Sequence, residues 1–341
     1  MTSINRQITL TSRPLGFPKV SDFQLVYSPM PSPADSEVLV RAIYLSLDPG
    51  LRERMNDAGS DVGSDAGTVG IGEVLRGGAV AFVVESLHPA FQAGDTVEGI
   101  LGWQEFAVIP GRELRRIDPT LAPISTALGV LGLPGLAAFF GLLDIAGPQP
   151  GETVVVSEAS GAVGMLVGQI AKIKGCRVVG VAGSDAATSW LLDELGFDAA
   201  FNCRGEADCC SALEKVCPAG IDVYFDNEGG AVTDAVIPLI NPRARISVCA
   251  QSSQSNLEAP ETGPRWLGEL VVKQAKVQGF LVAGFAERFP EGLEQLATWL
   301  KEGKLKYRED VAQGIESAPQ AFIGMLRGEG RGQQLVRISE P

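Results

Sequence analysis

The sequence predicts an α/β protein in which an antiparallel β domain precedes a doubly wound parallel sheet. Two observations predict it. Residues 153–185, TVVVSEASGAVGMLVGQIAKIKGCRVVGVAGSD, read as strand, glycine turn, helix and second strand. From residue 124 onward helical and strand-like runs alternate, whereas residues 1–123 are strand-rich. Parallel strands joined by helices pass through right-handed crossovers, which places helices on both faces of one sheet.

In the first region the strands are EVLVRAIYLSL, GIGEVLR, AVAFVVES, DTVEGIL and WQEFAVI, separated by Gly, Pro and Asp. Residues 57–70, DAGSDVGSDAGTVG, form a loop by composition, either a surface linker or a flap over a site. The second region begins with the helical PISTALGVLGLPGLAAFFGLLDIAG. Strands TVVVSEA, RVVGVAG, AAFNC, IDVYFDNEG, ARISVCA and AKVQGFLVAG follow, with helices between the earlier ones. From about residue 302 the pieces LKYREDV and QQLVRIS return to strand character and complete the first domain. The predicted domains are therefore 1–123 with 302–341, and 124–301.

At 341 residues the chain suffices for two domains, each with its own core. With 45% hydrophobic and 20% charged residues it has the composition of a soluble globular protein, and no uninterrupted apolar run approaches a membrane span. The opening MTSINRQITLTSRPLG lacks the apolar core of a signal peptide, so a cytoplasmic location is expected. There the six cysteines are expected to stay reduced, most of them as small apolar packing residues. A net charge of −13 argues against nucleic acid or an anionic membrane as partner, despite the cluster Arg112, Arg115 and Arg116. The single histidine, His88, reads as a loop residue; a catalytic zinc or a serine–histidine triad would have to use it. No C-x-x-C pair is present, so no metal site is expected.

Ala159, Gly161 and Gly164 fit the G-x-G-x-x-G spacing, with alanine at the first place. The middle glycine lets backbone approach a diphosphate, and the last lets the helix pack on the strand. Gly161, Ala162, Val163 and Gly164 thus open a helix whose N–H groups and dipole favour an anion. A turn needed only for packing is the alternative. At the end of the next strand an NAD site carries an acidic residue; here Gly183 and Ser184 leave a small neutral spot with room for a 2′-phosphate. This favours NADPH, with NADH also possible. Asp185 is expected to point outward, and the nearest candidate cation is Arg204.

These residues, with SEVLVRAIYLSLDP, LGLPGLAAFFGLLDIAG, LGFDAAFN, YFDNEGG and AFIGMLRGEGRG, resemble the zinc-independent medium-chain dehydrogenase/reductases over nearly the whole chain. The resemblance is to the prostaglandin reductase and alkenal double-bond reductase branch. It implies a GroES-like β domain, a Rossmann domain and a homodimer joined through the sheets. It further implies NADPH-dependent reduction of the C=C bond of an α,β-unsaturated aldehyde or ketone. Hydride would reach the β-carbon while hydrogen bonds stabilise charge on the carbonyl oxygen. Asn227, Cys249, Phe280 and Val282 match family positions along the coenzyme. Other positions depart: the phosphate-gripping lysine falls on Ala187 and a tyrosine on Cys203. The tyrosine near the enolate falls on Ser255, which becomes the candidate catalytic donor. Gly50, Ala137 and Gly330 replace further polar residues, with Arg331 adding a cation beside the last. Losing one charged hydrogen bond to phosphate costs about 1.5–3 kcal/mol, so a weakened coenzyme preference is expected.

The alternative is a coenzyme-independent cyclase, isomerase or small-molecule-binding protein with a degenerate site. A zinc alcohol dehydrogenase fails on ligand supply. Arg52 and Arg54 read as surface ion-pair residues or as contacts to an acidic substrate, and Trp103 and Trp266 as packing or as pocket lining.

Overall fold

The computed structural model describes residues 4–56, 67–203 and 209–340. It divides into two units, residues 1–128 with 309–341 and residues 129–308. The first contains β1 (Ile4–Leu10), β2 (Phe23–Pro29), β3 (Glu37–Ser46), α1 (Leu51–Arg54), β4 (Gly78–Ser86), β5 (Thr96–Ile100), β6 (Phe106–Pro110) and β7 (Arg115–Arg116). The antiparallel β1–β2 pair, with Ile8 opposite Leu25, was not evident from the sequence pattern. β3 is the spine, pairing antiparallel with both β4 and β6. Val38 and Val40 enter the main core, whereas Ile43 joins a smaller cluster with Val80 and Leu128.

Trp103 is fully buried in that main core, stacked on Phe23 and edge-on to Phe322, so it packs rather than lines a pocket. Arg52 is also buried. Its guanidinium donates to the carbonyls of Pro14 and Gly16 and to Asn56 Oδ1, which corrects both readings of it as exposed. The predicted strand GIGEVLR is instead a turn with one bridge to Thr9. Gly72 takes φ 84° there, and Glu73 caps the Gly70 N–H. His88 is a loop residue whose Nδ1 accepts from Ala90 N–H and whose ring covers Gly111. Most of the 57–70 loop lies outside the described residues.

The second unit opens with α2 (Leu133–Phe140), which runs into a π-helical turn, Gly141–Ala146. Then follow β8 (Thr153–Val156), α3 (Gly164–Ile173), β9 (Arg177–Ala182), α4 (Asp185–Asp193), β10 (Ala199–Asn202) and α5 (Cys209–Val216). β11 (Ile221–Asp226), α6 (Gly230–Val236), β12 (Ile240–Val248), α7 (Leu267–Lys273), β13 (Lys276–Gly279) and α8 (Phe289–Lys301) complete it. The sheet is wholly parallel, in the order β10-β9-β8-β11-β12-β13. This is the doubly wound Rossmann order, which reverses direction between β8 and β11. The apolar run of β8 follows from cover on both faces: Val154 and Val156 pack in one helical layer and Val155 in the other. The unit continues through Lys306, whose N–H donates to Gln169 Oε1 of α3.

The chain then returns to the first unit through β14 (Glu309–Gln313), α9 (Ala318–Leu326) and β15 (Gln333–Arg337). β15 pairs antiparallel with β3, and Phe322 of α9 fills the core. None of the described helices is long and apolar enough to cross a membrane.

Cys203 and Cys209 form a disulfide, which corrects the expectation that all six cysteines are free thiols. The end of β10 and the start of α5 bring their Cα atoms to 5.4 Å, within bridging range.

Close helix–sheet approach explains Gly168. A Cβ there would stand 1.9 Å from Phe197 Cζ. Gly168→Ala is expected to cost about 1–3 kcal/mol through overpacking, read as a lowered urea midpoint, and Phe197→Leu in the same chain to recover part of it.

Candidate active site

In a doubly wound sheet, ligands sit beyond the carboxyl ends of the strands at the switch point. In the second unit those ends are residues 157–164 after β8, 183–187 after β9, 226–230 after β11, 249–255 after β12 and 280–282 after β13. Every candidate residue taken from these stretches therefore lies along one edge of one sheet. Arg331 belongs to the other unit, between α9 and β15. Arg204 lies outside the described residues.

Gly164 has no room for a side chain. A Cβ would stand 2.4 Å from the Glu158 carbonyl oxygen and 2.8 Å from Ala159 Cα. This closeness seats α3 on the turn. The Gly161 N–H is spent on the Glu158 carbonyl at 3.0 Å. Ala162, Val163 and Gly164 N–H make no backbone hydrogen bond among the described residues, as expected for the first turn of a helix. Three adjacent amides at the positive end of a ten-residue helix suit a diphosphate.

After β9, Ser184 is the N-cap of α4, and its Oγ accepts from Ala187 N–H at 3.2 Å. A hydroxyl that accepts one hydrogen bond still has a proton to donate. Ala187 is buried under this cap, so the position aligned with the family lysine faces inward here. Asp185 is exposed and accepts from Asn202 Nδ2.

A residue that pattern reading passed over organises the next two ends. Asp226, 1% exposed at the end of β11, accepts through Oδ1 from Tyr224 O–H and from the Glu228 and Gly229 N–H groups. Its Oδ2 accepts from Thr233 O–H and Gln251 Nε2. Ser157 at the end of β8 closes the network: its Oγ lies 3.3 Å from Asp226 Oδ1 and accepts from Asn227 N–H at 2.9 Å. Asn227 Nδ2 donates to the Ser157 carbonyl, so that side chain ties β11 to β8. A carboxylate ending the apolar run VYF was the visible sign of this centre. Burial, and then the Asp226 carboxylate, hold the Tyr224 phenol well above its ordinary value.

Cys249 N–H donates to the Asp226 carbonyl, joining β12 to β11. Burial, then Glu158 and Asp226, push its thiol up to about 12, so it stays protonated and inert. Ser255 ends a short 3-10 turn, Ser252–Gln254, and is half-buried. Phe280 packs edge-on to Phe225 and covers Gly141, where a Cβ would stand 2.3 Å from its ring. Val282 starts a 3-10 segment and is half-buried. Trp266 packs against the layer that contains Val155. None of the residues in the five strand-end stretches is Lys or Arg.

Family comparison matches residues 6–117 to an N-terminal domain of oxidoreductases and residues 162–298 to a zinc-binding dehydrogenase domain. Among the described residues no three His, Cys, Asp or Glu side chains cluster in a way that would hold a metal ion. The chain is 43% identical over 340 residues to the NADPH-dependent curcumin reductase of Escherichia coli (strain K12), covering 98% of this chain and 97% of that one. It is 42% identical over 339 residues to the NADP(+)-dependent 2-alkenal reductase of Nicotiana tabacum, covering 98% of each. The crystal structure of CurA from Vibrio vulnificus in complex with NADPH superposes with a TM-score of 0.92 at 44% identity, covering 98% of this chain and 100% of that one.

Asp226→Asn turns an amide NH2 towards donors that need an acceptor. A buried donor left unmatched costs about 1–3 kcal/mol, so the urea midpoint is expected to fall with the m-value unchanged.

Proposed function

The chain belongs to the zinc-independent medium-chain dehydrogenase/reductases, and from that premise we propose that it is an NADPH-dependent reductase of the C=C bond in α,β-unsaturated aldehydes or ketones. The carrying observation is the β8–α3 turn: three unpartnered amides, and a glycine at which backbone contact leaves no space for a side chain. The residues present suit a dinucleotide. Ala162, Val163 and Gly164 hold the diphosphate with backbone N–H groups. Gly183 leaves room for the 2′-phosphate, and the Ser184 hydroxyl donates to it while accepting from Ala187. Asn227 and Cys249 shape the wall along the riboses, each held by the Asp226 network. Phe280 and Val282 form the apolar wall beside the nicotinamide.

When bound, NADPH supplies the hydride that adds to the substrate β-carbon. The protein then has to stabilise charge on the carbonyl oxygen, a donation we assign to the Ser255 hydroxyl, and a proton from solvent then completes the reduction at the α-carbon. A hydroxyl is a weaker donor than the tyrosine that the resemblance implies, which favours activated enones and enals. The test is oxidation of NADPH by the pure protein with a panel of enones, followed by absorbance. A protein that binds neither NADPH nor NADH refutes this reading and leaves the coenzyme-independent one. Arg204 remains a candidate cation for the 2′-phosphate, to be judged by the NADPH:NADH ratio of its alanine variant.

The expected partner is a second copy of the chain. β13 is the edge strand of the parallel sheet, and α7 beside it buries none of its residues. Val271 and Val272 of α7 are 78% and 74% exposed, an apolar face for a helix to leave in water.

Ser184→Ala is expected to raise the Kd for NADPH by several-fold while changing that for NADH little, measured by quenching of protein fluorescence. Val271→Glu is expected to convert the dimer to a monomer in size-exclusion chromatography with light scattering.

A further inference from the structure

The turn after β8 carries an acidic residue where its chemistry is least suited. Glu158 lies three residues before Gly161, and its backbone takes φ 49°, the left-handed region that non-glycine residues rarely adopt. That conformation folds the side chain back across the turn. A Cβ built on Gly161 would meet Glu158 Cγ at 3.5 Å and Cδ at 3.8 Å. The space that the middle glycine leaves open is thus bordered by a carboxylate from the same turn. Its Oε2 accepts from Ser252 O–H at 3.2 Å, linking the β8 turn to the loop after β12. Its field also reaches Cys249, whose thiol it helps to keep protonated.

We propose that the Glu158 carboxylate is a built-in competitor of the diphosphate, latched over Gly161 by Ser252, which lowers dinucleotide affinity and speeds coenzyme release. The inference rests on the dinucleotide reading of this turn. A diphosphate approaching Gly161 either displaces the carboxylate from Ser252 or accepts its repulsion. Two unit charges about 4 Å apart repel by roughly 1 kcal/mol even in water, a factor of about five in Kd. The competition acts on any ligand carrying the diphosphate, so NADPH and NADH are affected alike.

The test is titration of the intact protein and its variants with NADPH, NADH and 2′-AMP, the last lacking the diphosphate, at low and high salt. Glu158→Gln and Glu158→Ala are expected to bind both dinucleotides at least about fivefold tighter than the wild type at low salt. The gain shrinks as salt screens the charge. Glu158→Gly guards against a folding defect: it relieves the left-handed backbone, so it should show the same tightening with a raised thermal midpoint. Binding of 2′-AMP should not change. If the wild type binds NADPH and no Glu158 variant binds it tighter, this proposal falls while the dinucleotide reading stands. An equal gain for 2′-AMP also overturns it, because the charge would then not act at the diphosphate. If neither the wild type nor the variants bind any dinucleotide, the reading of the turn itself falls.

Discussion

A single buried carboxylate determines how the ends of three parallel strands relate. Asp226 gathers two amide N–H groups, three hydroxyls and a glutamine amide, and its neighbours Ser157 and Asn227 complete the tie to β8. A polar group out of water is tolerated only when such donors replace its hydration. Removing any one partner therefore disturbs the turn after β11 and the loop after β12 together. The precision of the whole strand-end surface follows from that network.

Against this rigid frame, the electrostatics of the site run opposite to its proposed ligand. Glu158, Asp185, Asp226 and Glu228 are all acidic, and the described strand-end stretches bring no basic side chain. Within those stretches the attraction for an anion comes from geometry: amides preset by α3, a hydroxyl preset by the α4 cap, and glycines that clear space. Backbone donors lose no side-chain entropy on binding. A reductase that must release its spent coenzyme at each turnover is well served by directional but modest attraction.

Much of this was legible beforehand. The glycine spacing inside a strand–turn–helix unit located the turn, and Ser184 lies where it was read, just past the end of β9. The tight seat of Gly164 bears out the packing role read from the motif, which the packing-only alternative shares. Less legible were β1 and β2, which pair with each other across the long connection 11–22, and α7, α8 and α9, whose patterns are broken by proline or glycine. Arg52 misled because a buried arginine satisfied by carbonyls looks, in sequence, like any surface arginine. Cys203 and Cys209 misled because nothing in their spacing says that one strand end and one helix start meet.

The sequence by itself determined the periodicities: apolar runs for strands covered on both faces, glycines where backbones approach, and hence the order of helices and strands. These are local matters, set by residues within one element or one turn. Only the tertiary structure decided which way polar side chains face, that Asp226 anchors three strand ends, that Asn227 turns inward and that Glu158 lies over Gly161. The Asp226 and Asn227 ties and the Ser252 hold on Glu158 join segments tens of residues apart, and local pattern carries no information about partners at that range.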